Sequence, residues 1–528
     1  MITYSIYTQS PCGGLVGRST LNGEIEVYKG IPYALPPVGE RRWRRAEPAI
    51  SWKGYRAAFE YGPSCPQFPM PEGPIFHHPL LQSSEDCLYL NIWTPTDKSE
   101  PLPVMVWIHG GGLFAGSGRY PEYDGAKLSR HGAVVVTLNY RLGMLGYFAH
   151  PDLSEEDHDG ASGNYGLSDM VEALRWVKEN IESFGGDPEN VTVFGESAGG
   201  WAVSQLVASP LTTGLIHRAI VQSGVGNFPM LNLKEARFGR PSAEADGVGL
   251  VESLGASSIA ELRSWPAQTL IDEWLALGRT TQAIVDGWSL PDEVFSIFES
   301  GRQNDIPILV GFNENEANNL AEVGAVPLPP NSEAYILIAK RRYGEHADEF
   351  LSLYPPDNMR DSIFRAYRDR SHAWGAVSLA QSMSSVSSSA FLYLFRHQPS
   401  SFVDGMGAYH MSEIPYVFNN LEDNASFCHP ILRHREVSEE ATVLADAMSA
   451  CWVSFAKKGR PSWTGSLDWP AYEGSGKYVA ITTDGPIIES DLLDGACEFH
   501  DRLNMMRRMS GAFWTPLFDP SDVDGYSF

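Results

Sequence analysis

Val191-Thr192-Val193-Phe194-Gly195-Glu196-Ser197-Ala198-Gly199-Gly200 is the stretch that decides the fold. Its first four residues are β-branched or aromatic and read as a strand buried on both faces. After it, Trp201-Ala202-Val203-Ser204-Gln205-Leu206-Val207-Ala208 reads as a helix. Between the two stands G-x-S-x-G. Glycines on either side of Ser197 leave room for a strained turn that lifts the hydroxyl above the strand end. The helix that follows points its N-terminal N–H groups at negative charge developing there. The five-residue pattern is weak by itself, and the strand before it and helix after it make it a nucleophile elbow.

Upstream, Val104-Met105-Val106-Trp107-Ile108 reads as another strand and runs into His109-Gly110-Gly111-Gly112. Consecutive glycines let a backbone lie against a ligand and aim its N–H groups at one point, as an oxyanion hole requires. The expected donors are the N–H groups of Gly111, Gly112 and Ala198. No GK[ST] follows, which removes the usual nucleotide-binding version of such a loop. Further strand candidates are residues 133–138, Ala219-Ile220-Val221, Ile308-Leu309-Val310 and residues 390–395. Between the second and third strands, residues 167–184 place Val171, Leu174, Val177 and Ile181 at helical spacing. Strand, helix, strand is the βαβ unit of a parallel sheet, so the fold class is α/β. The chain shows no internal repeat or low-complexity linker, and residues 1–528 read as one elaborated domain. Segments near 226–300 and 320–385 are mainly helical in pattern, follow strand ends, and are expected to form the lid and walls of a cleft.

The 65 acidic residues against 39 basic ones give a formal charge of -26. Such a balance repels phosphate backbones and anionic lipid, so nucleic acid and membrane surfaces are not expected partners. Residues 1–30 lack the basic start and apolar stretch of a secretory signal, and no run of about 18 apolar residues occurs. The chain as given reads as cytoplasmic, or as secreted if a leader was removed. Its six cysteines show no CxxC or Cys/His spacing, so no metal site and no cofactor are expected. Oligomeric state is not legible.

A serine hydroxyl is a poor nucleophile until an imidazole takes its proton, and a carboxylate must hold that imidazole's tautomer. The elbow comes with the chain order nucleophile, acid, histidine. That order excludes His109 and leaves His217, His346, His372, His397, His410, His429, His434 and His500. Spacing does not choose among them.

Five segments occur in the order seen in type-B carboxylesterases: Lys29-Gly30-Ile31-Pro32-Tyr33-Ala34, Ser84-Glu85-Asp86-Cys87-Leu88-Tyr89-Leu90-Asn91, the HGGG segment, Asn139-Tyr140-Arg141-Leu142-Gly143 and Phe194-Gly195-Glu196-Ser197-Ala198-Gly199-Gly200. Over nearly its full length the chain resembles this cholinesterase-like family of α/β-hydrolases, and most of all its microbial p-nitrobenzyl-esterase-like members. The resemblance implies a large, mostly parallel central sheet flanked by helices, and an ester hydrolase acting through an acyl-enzyme on Ser197. It implies Glu316 as the acid, in Gly311-Phe312-Asn313-Glu314-Asn315-Glu316, with Ala317 standing where the family usually has glycine and Glu314 as the alternative. It implies His410 as the base, in Gly407-Ala408-Tyr409-His410-Met411-Ser412-Glu413. Ser223 is expected near the acid, and Arg42 is expected to pair with Glu85. Cys65 and Cys87 match the family's N-terminal disulfide, which would close a loop of about 20 residues and add roughly 3 kcal/mol if oxidised.

The implied partner is a small-molecule ester. Phe114, Phe228 and Met230 match pocket positions of the family and suggest an apolar acyl or alcohol group. Residues 66–86 contain no tryptophan, the residue with which choline-cleaving relatives bind a quaternary ammonium. Two other readings stay open: an acyltransferase, lactone-forming or thioesterase-type enzyme using the same acyl-enzyme, and a non-catalytic member of the family.

Overall fold

Along the stretch from Leu102 to Ile108 the side chains alternate between two cores. Val104, Val106 and Ile108 join one and Met105 and Trp107 the other, and all five are fully buried. A strand apolar on both faces must lie inside a sheet covered on both sides. In the computed structural model, which describes residues 4–67, 81–227, 229–279, 281–322, 324–398, 405–421, 437–463, 467–472, 475–493 and 495–511, that sheet is the backbone of the molecule.

Among the described residues it has thirteen strands. They are β1 (Ser5–Ser10), β2 (Gly13–Thr20), β3 (Ile25–Pro32), β4 (Tyr55–Ala57), β5 (Tyr89–Pro95), β6 (Leu102–Ile108) and β7 (Val134–Leu138). After these come β8 (Gly186–Glu196), β9 (Arg218–Gln222), β10 (Ile308–Asn313), β11 (Ala390–Phe395), β12 (Tyr478–Thr482) and β13 (Gly485–Glu489). The order is β1-β2-β3-β5-β7-β6-β8-β9-β10-β11-β12-β13, with β4 paired to β2 off this path. From β7 to β12 every pairing is parallel. The flanks add antiparallel strands at both edges. The expected parallel centre is therefore present, within a larger mixed sheet whose edges the periodicity reading missed. Edge strands such as β1 are half exposed and mixed in composition, so they lack the apolar run that marks a central strand.

The helix Tyr165–Asn180 packs Leu167, Met170, Val171, Leu174 and Val177 into the first core, and a tighter turn, Ile181–Phe184, continues it. The helix Glu439–Lys458 covers the other face with Leu444, Met448, Trp452 and Phe455. Each such side chain contributes about 1.5–3 kcal/mol on burial. The segment near 226–300 carries the helices Ala243–Ser253, Ile259–Ser264, Ala267–Ala276 and Val294–Glu299. That near 320–385 includes Ser332–Tyr343, Ala347–Leu353, Met359–Arg368 and Trp374–Ser382.

Register carries the strand ends to one edge. Ile108 pairs with Gly195, Glu196 with Gln222, and Gln222 with Gly311. The loops that begin at His109, Ser197, Ser223 and Glu314 therefore open side by side at the carboxyl ends of parallel strands, where ligands bind in such sheets.

Candidate active site

The elbow residue Ser197 has φ 56 and ψ -125, a left-handed conformation that a side chain adopts only under strain. Two backbone bonds hold it there. Its N–H donates to Gln222 O at 2.9 Å, and its carbonyl accepts from Trp201 N–H at 3.0 Å. A Cβ on Gly199 would lie 2.0 Å from Ile108 O, so only glycine fits where the turn crosses β6. The helix starts at Ala198, three residues before the expected Trp201, because the turn hands over to it without a spacer. Ala198 N–H thus belongs to the first turn, whose N–H groups have no acceptor within the helix.

Across from it lies the glycine loop. Gly111 O accepts from Phe114 N–H at 3.1 Å and Ala115 N–H at 2.9 Å, which closes the loop on itself. Gly111 and Gly112 take φ 105 and 62. His109 stacks on Tyr140 with ring centroids 4.4 Å apart, and burial lowers its pKa to about 4 against a raising contact with Gly110 O. It is a neutral wall of the loop.

The expected acid, Glu316, follows β10. Glu316 Oε1 accepts from Asn313 N–H at 2.7 Å, and Oε2 meets His410 Nδ1 at 2.6 Å, both residues being buried. Ala317 opens the helix Ala317–Glu322 and needs no positive φ, so the departure from glycine is accommodated. Glu314 turns instead to Arg396, 3.3 Å away. Three asparagines join the acid loop to the histidine loop. Asn313 Nδ2 donates to Tyr409 O at 2.8 Å and Asn315 N–H to Ala408 O at 2.8 Å. Asn319 brackets His410, accepting from its N–H at 3.1 Å and donating to its carbonyl at 3.0 Å.

The other edge of the imidazole faces the elbow. His410 Nε2 lies 3.2 Å from Oε1 of Glu196, the residue before Ser197. No hydrogen bond joins Ser197 Oγ to His410 in this structure, and unliganded sites often hold that bond long or misaligned. Buried Glu413 sits behind, accepting from Asn313 Nδ2 at 2.5 Å and Gln222 Nε2 at 3.0 Å.

These contacts set the charges. Burial raises Glu316, but His372, His410 and Ser223 outweigh it and hold its pKa at about 2. Burial lowers His410, but Glu196, Glu316 and Glu413 raise it to about 9. Burial pushes Glu196 well above the usual carboxylate range, with Glu413 and Glu316 adding to the rise against His410. Once Glu196 takes up a proton, its pull on His410 disappears. Ser223 Oγ lies near Glu316 without the alignment of a full hydrogen bond.

Of the other expected residues, Met230 is buried in the core with its N–H on Glu293 Oε1 at 2.8 Å. Phe114 is part-buried against Gly112, and Phe228 lies outside the described residues. Arg42 pairs with Glu85 through two bonds of 2.7 Å. Cys65 and Cys87, the expected disulfide pair, lie in contact as buried thiols in this structure. The contact with Cys65, together with burial, holds the Cys87 pKa well above its ordinary value. Sequence reading missed Glu196, Glu413 and the three asparagines, and it left His372 as one undistinguished candidate base. The only visible signal was the crowding of asparagines around Glu316.

Glu316, His372 and His410 offer ligand atoms within 4.8 Å of one another, a spacing that a metal could use. A metal would have to replace the 2.6 Å bond between His410 and Glu316, together with its proton. Among the described residues no helix is long and apolar enough to cross a membrane.

The model of the Carboxylesterase family matches residues 5–500. A fumonisin B1 esterase from Sphingopyxis macrogoltabida is 36% identical over 478 residues, covering 87% of this chain and 84% of that protein. A para-nitrobenzyl esterase from Bacillus subtilis (strain 168) is 35% identical over 488 residues, with 90% and 95% covered. A solved PNB esterase superposes with a TM-score of 0.79 at 33% identity, covering 93% of this chain and 98% of its own. An elbow serine, a glycine loop and a buried Glu–His pair at one sheet edge agree with that kinship, and the chain belongs to the carboxylesterase family of α/β-hydrolases as a carboxylic ester hydrolase.

Proposed function

We propose that the chain hydrolyses esters bearing apolar groups through an acyl-enzyme on Ser197, with His410 as base and Glu316 as its acid partner. The observation that carries this reading is the placement of His410, bonded at Nδ1 to Glu316 while Nε2 faces the elbow. Substrate draws Ser197 Oγ into line with Nε2. His410 takes the hydroxyl proton as Oγ attacks the carbonyl, and ionised Glu316 stabilises the imidazolium. The N–H groups of Gly111, Gly112 and Ala198 receive the oxyanion, each donor contributing about 2.7–4 kcal/mol. The imidazolium then protonates the leaving alcohol. A water molecule repeats the sequence and releases the acid. Phe114, packed against Gly112 of the glycine loop, supplies apolar wall to the pocket, and the helical segments near 226–300 and 320–385 shape the cleft. The names of the relatives, fumonisin B1 esterase and para-nitrobenzyl esterase, support esters larger than acetate.

Labelling by a fluorophosphonate and turnover of p-nitrophenyl esters of graded length test the reading. Both should vanish in Ser197→Ala, and turnover should favour longer acyl chains. Undiminished turnover in Ser197→Ala would remove the acyl-enzyme from the mechanism.

A further inference from the structure

The Gln222-Ser223-Gly224 corner touches both ends of the site. Gln222 O holds the Ser197 N–H at 2.9 Å, and a Cβ on Gly224 would stand 1.9 Å from Ser197 O. The Ser223 hydroxyl lies beside Glu316, and Ser223 N–H reaches Gly311 O at 2.8 Å. Ser223 itself is held at φ 49, the left-handed region that a side chain avoids. Its carbonyl has a partner in a buried imidazole, His372, whose Nδ1 is 2.9 Å away. A carbonyl only accepts, so Nδ1 carries the proton and Nε2 is left with a lone pair. Nε2 is buried and has no hydrogen-bond partner among the described residues. The ring stands 5.3 Å from that of His410.

We propose that His372 is a positioning residue for the Ser197–Glu316–His410 centre, its Nδ1–H pinning the strained Ser223 corner against which both the elbow and the acid rest. The inference rests on the catalytic assignment above.

The backbone around His372 is built for this reach. Asp369–Ala373 forms a π-helical turn between the helices Met359–Arg368 and Trp374–Ser382. Such a turn carries one extra residue and is frequent at functional sites. Its first residue is anchored: Asp369 accepts from Tyr354 Oη at 2.9 Å and from Arg368 Nε at 2.7 Å. The turn is therefore fixed at its base and presents His372 to the corner. Burial and the neighbouring His410 lower the His372 pKa while Glu316 raises it, and the Nδ1–H that meets the Ser223 carbonyl is present whether or not Nε2 is protonated. Loss of that N–H frees the Ser223 carbonyl, and the corner can relax out of its strained conformation. Ser197 and Glu316 then lose alignment together, while the pocket that binds the ester is untouched.

The test compares three variants by steady-state kinetics on one p-nitrophenyl ester. His372→Phe keeps a planar ring without the donor, and should lower kcat by about 10- to 100-fold with KM within about twofold. His372→Asn places an amide N–H near the Nδ1 position and should recover most of kcat. His372→Gln, whose amide falls nearer the Nε2 position, should not. Wild-type kcat in His372→Phe, or equal kcat in His372→Asn and His372→Gln, would overturn the proposal. Where His372→Phe does not fold, the Asn and Gln pair decides. Wild-type turnover in Ser197→Ala would instead strike at the catalytic assignment, so the two failures are separable.

Discussion

Glu196 Oε1 lies 3.2 Å from His410 Nε2, on the ring edge opposite the one bonded to Glu316. The imidazole is thus flanked by carboxylates on both nitrogens, and one of them belongs to the residue next to Ser197. Where Glu196 is ionised, this arrangement holds the imidazole as a cation that cannot act as a base; a protonated Glu196, which its burial favours, exerts no such pull.

The sign of the pH effect follows. Only neutral His410 can accept the Ser197 proton, so kcat/KM should rise with pH as His410 deprotonates. Burial lowers that pKa, but Glu196 is the foremost contributor to its rise toward about 9. Where the wild type holds Glu196 ionised, the acid limb of the kcat/KM profile should move to lower pH in Glu196→Gln. An unmoved limb, or one displaced upward, would show that Glu196 does not charge the base.

Asn319 holds the histidine loop by its amide and carbonyl at once. Asn319→Ala should let the imidazole drift and lower kcat by about 10- to 100-fold, with KM nearly unchanged. A rise in KM at constant kcat, read from initial rates, would assign Asn319 to substrate binding.

Arg141 and Asp169 form a buried ion pair with Nη2 to Oδ1 at 2.6 Å, and the Arg141 N–H reaches Oδ2 at 2.9 Å. Both side chains are almost wholly inaccessible. Asp169→Asn leaves the guanidinium charge buried and should cost about 3–5 kcal/mol. The urea midpoint reports this, and a midpoint equal to that of the wild type would mean that water or a neighbour replaces the carboxylate.

Cys65 and Cys87 stand side by side as buried thiols. Neither should react with iodoacetamide in the native protein, and both should react after unfolding without reductant. Peptide mapping that finds Cys65 and Cys87 joined would contradict the reduced pair.

The elbow, the glycine loop and the parallel centre of the sheet could be read from the chain because each is local. A strand buried on both faces must be apolar throughout, and a turn of this strain must be flanked by glycine. Ser197, Gly111 and Gly112 therefore stand out in any window around them. Glu316 and His410 needed a family resemblance, since nothing near His410 distinguishes its imidazole from the seven others that follow Ser197 in the chain. The antiparallel edges escaped notice for the opposite reason: half-exposed strands tolerate polar residues and leave no apolar run.

Tertiary structure alone decided what surrounds the imidazole. Glu196, Glu413, His372 and the pair Asn313 and Asn319 come from four different stretches of chain and meet because parallel strands end in register at one edge. Each is an ordinary polar residue in sequence. Burial beside other charges is what gives each its proton affinity and its hydrogen-bond partner, and burial is a property of the folded sheet that no single stretch of the chain carries.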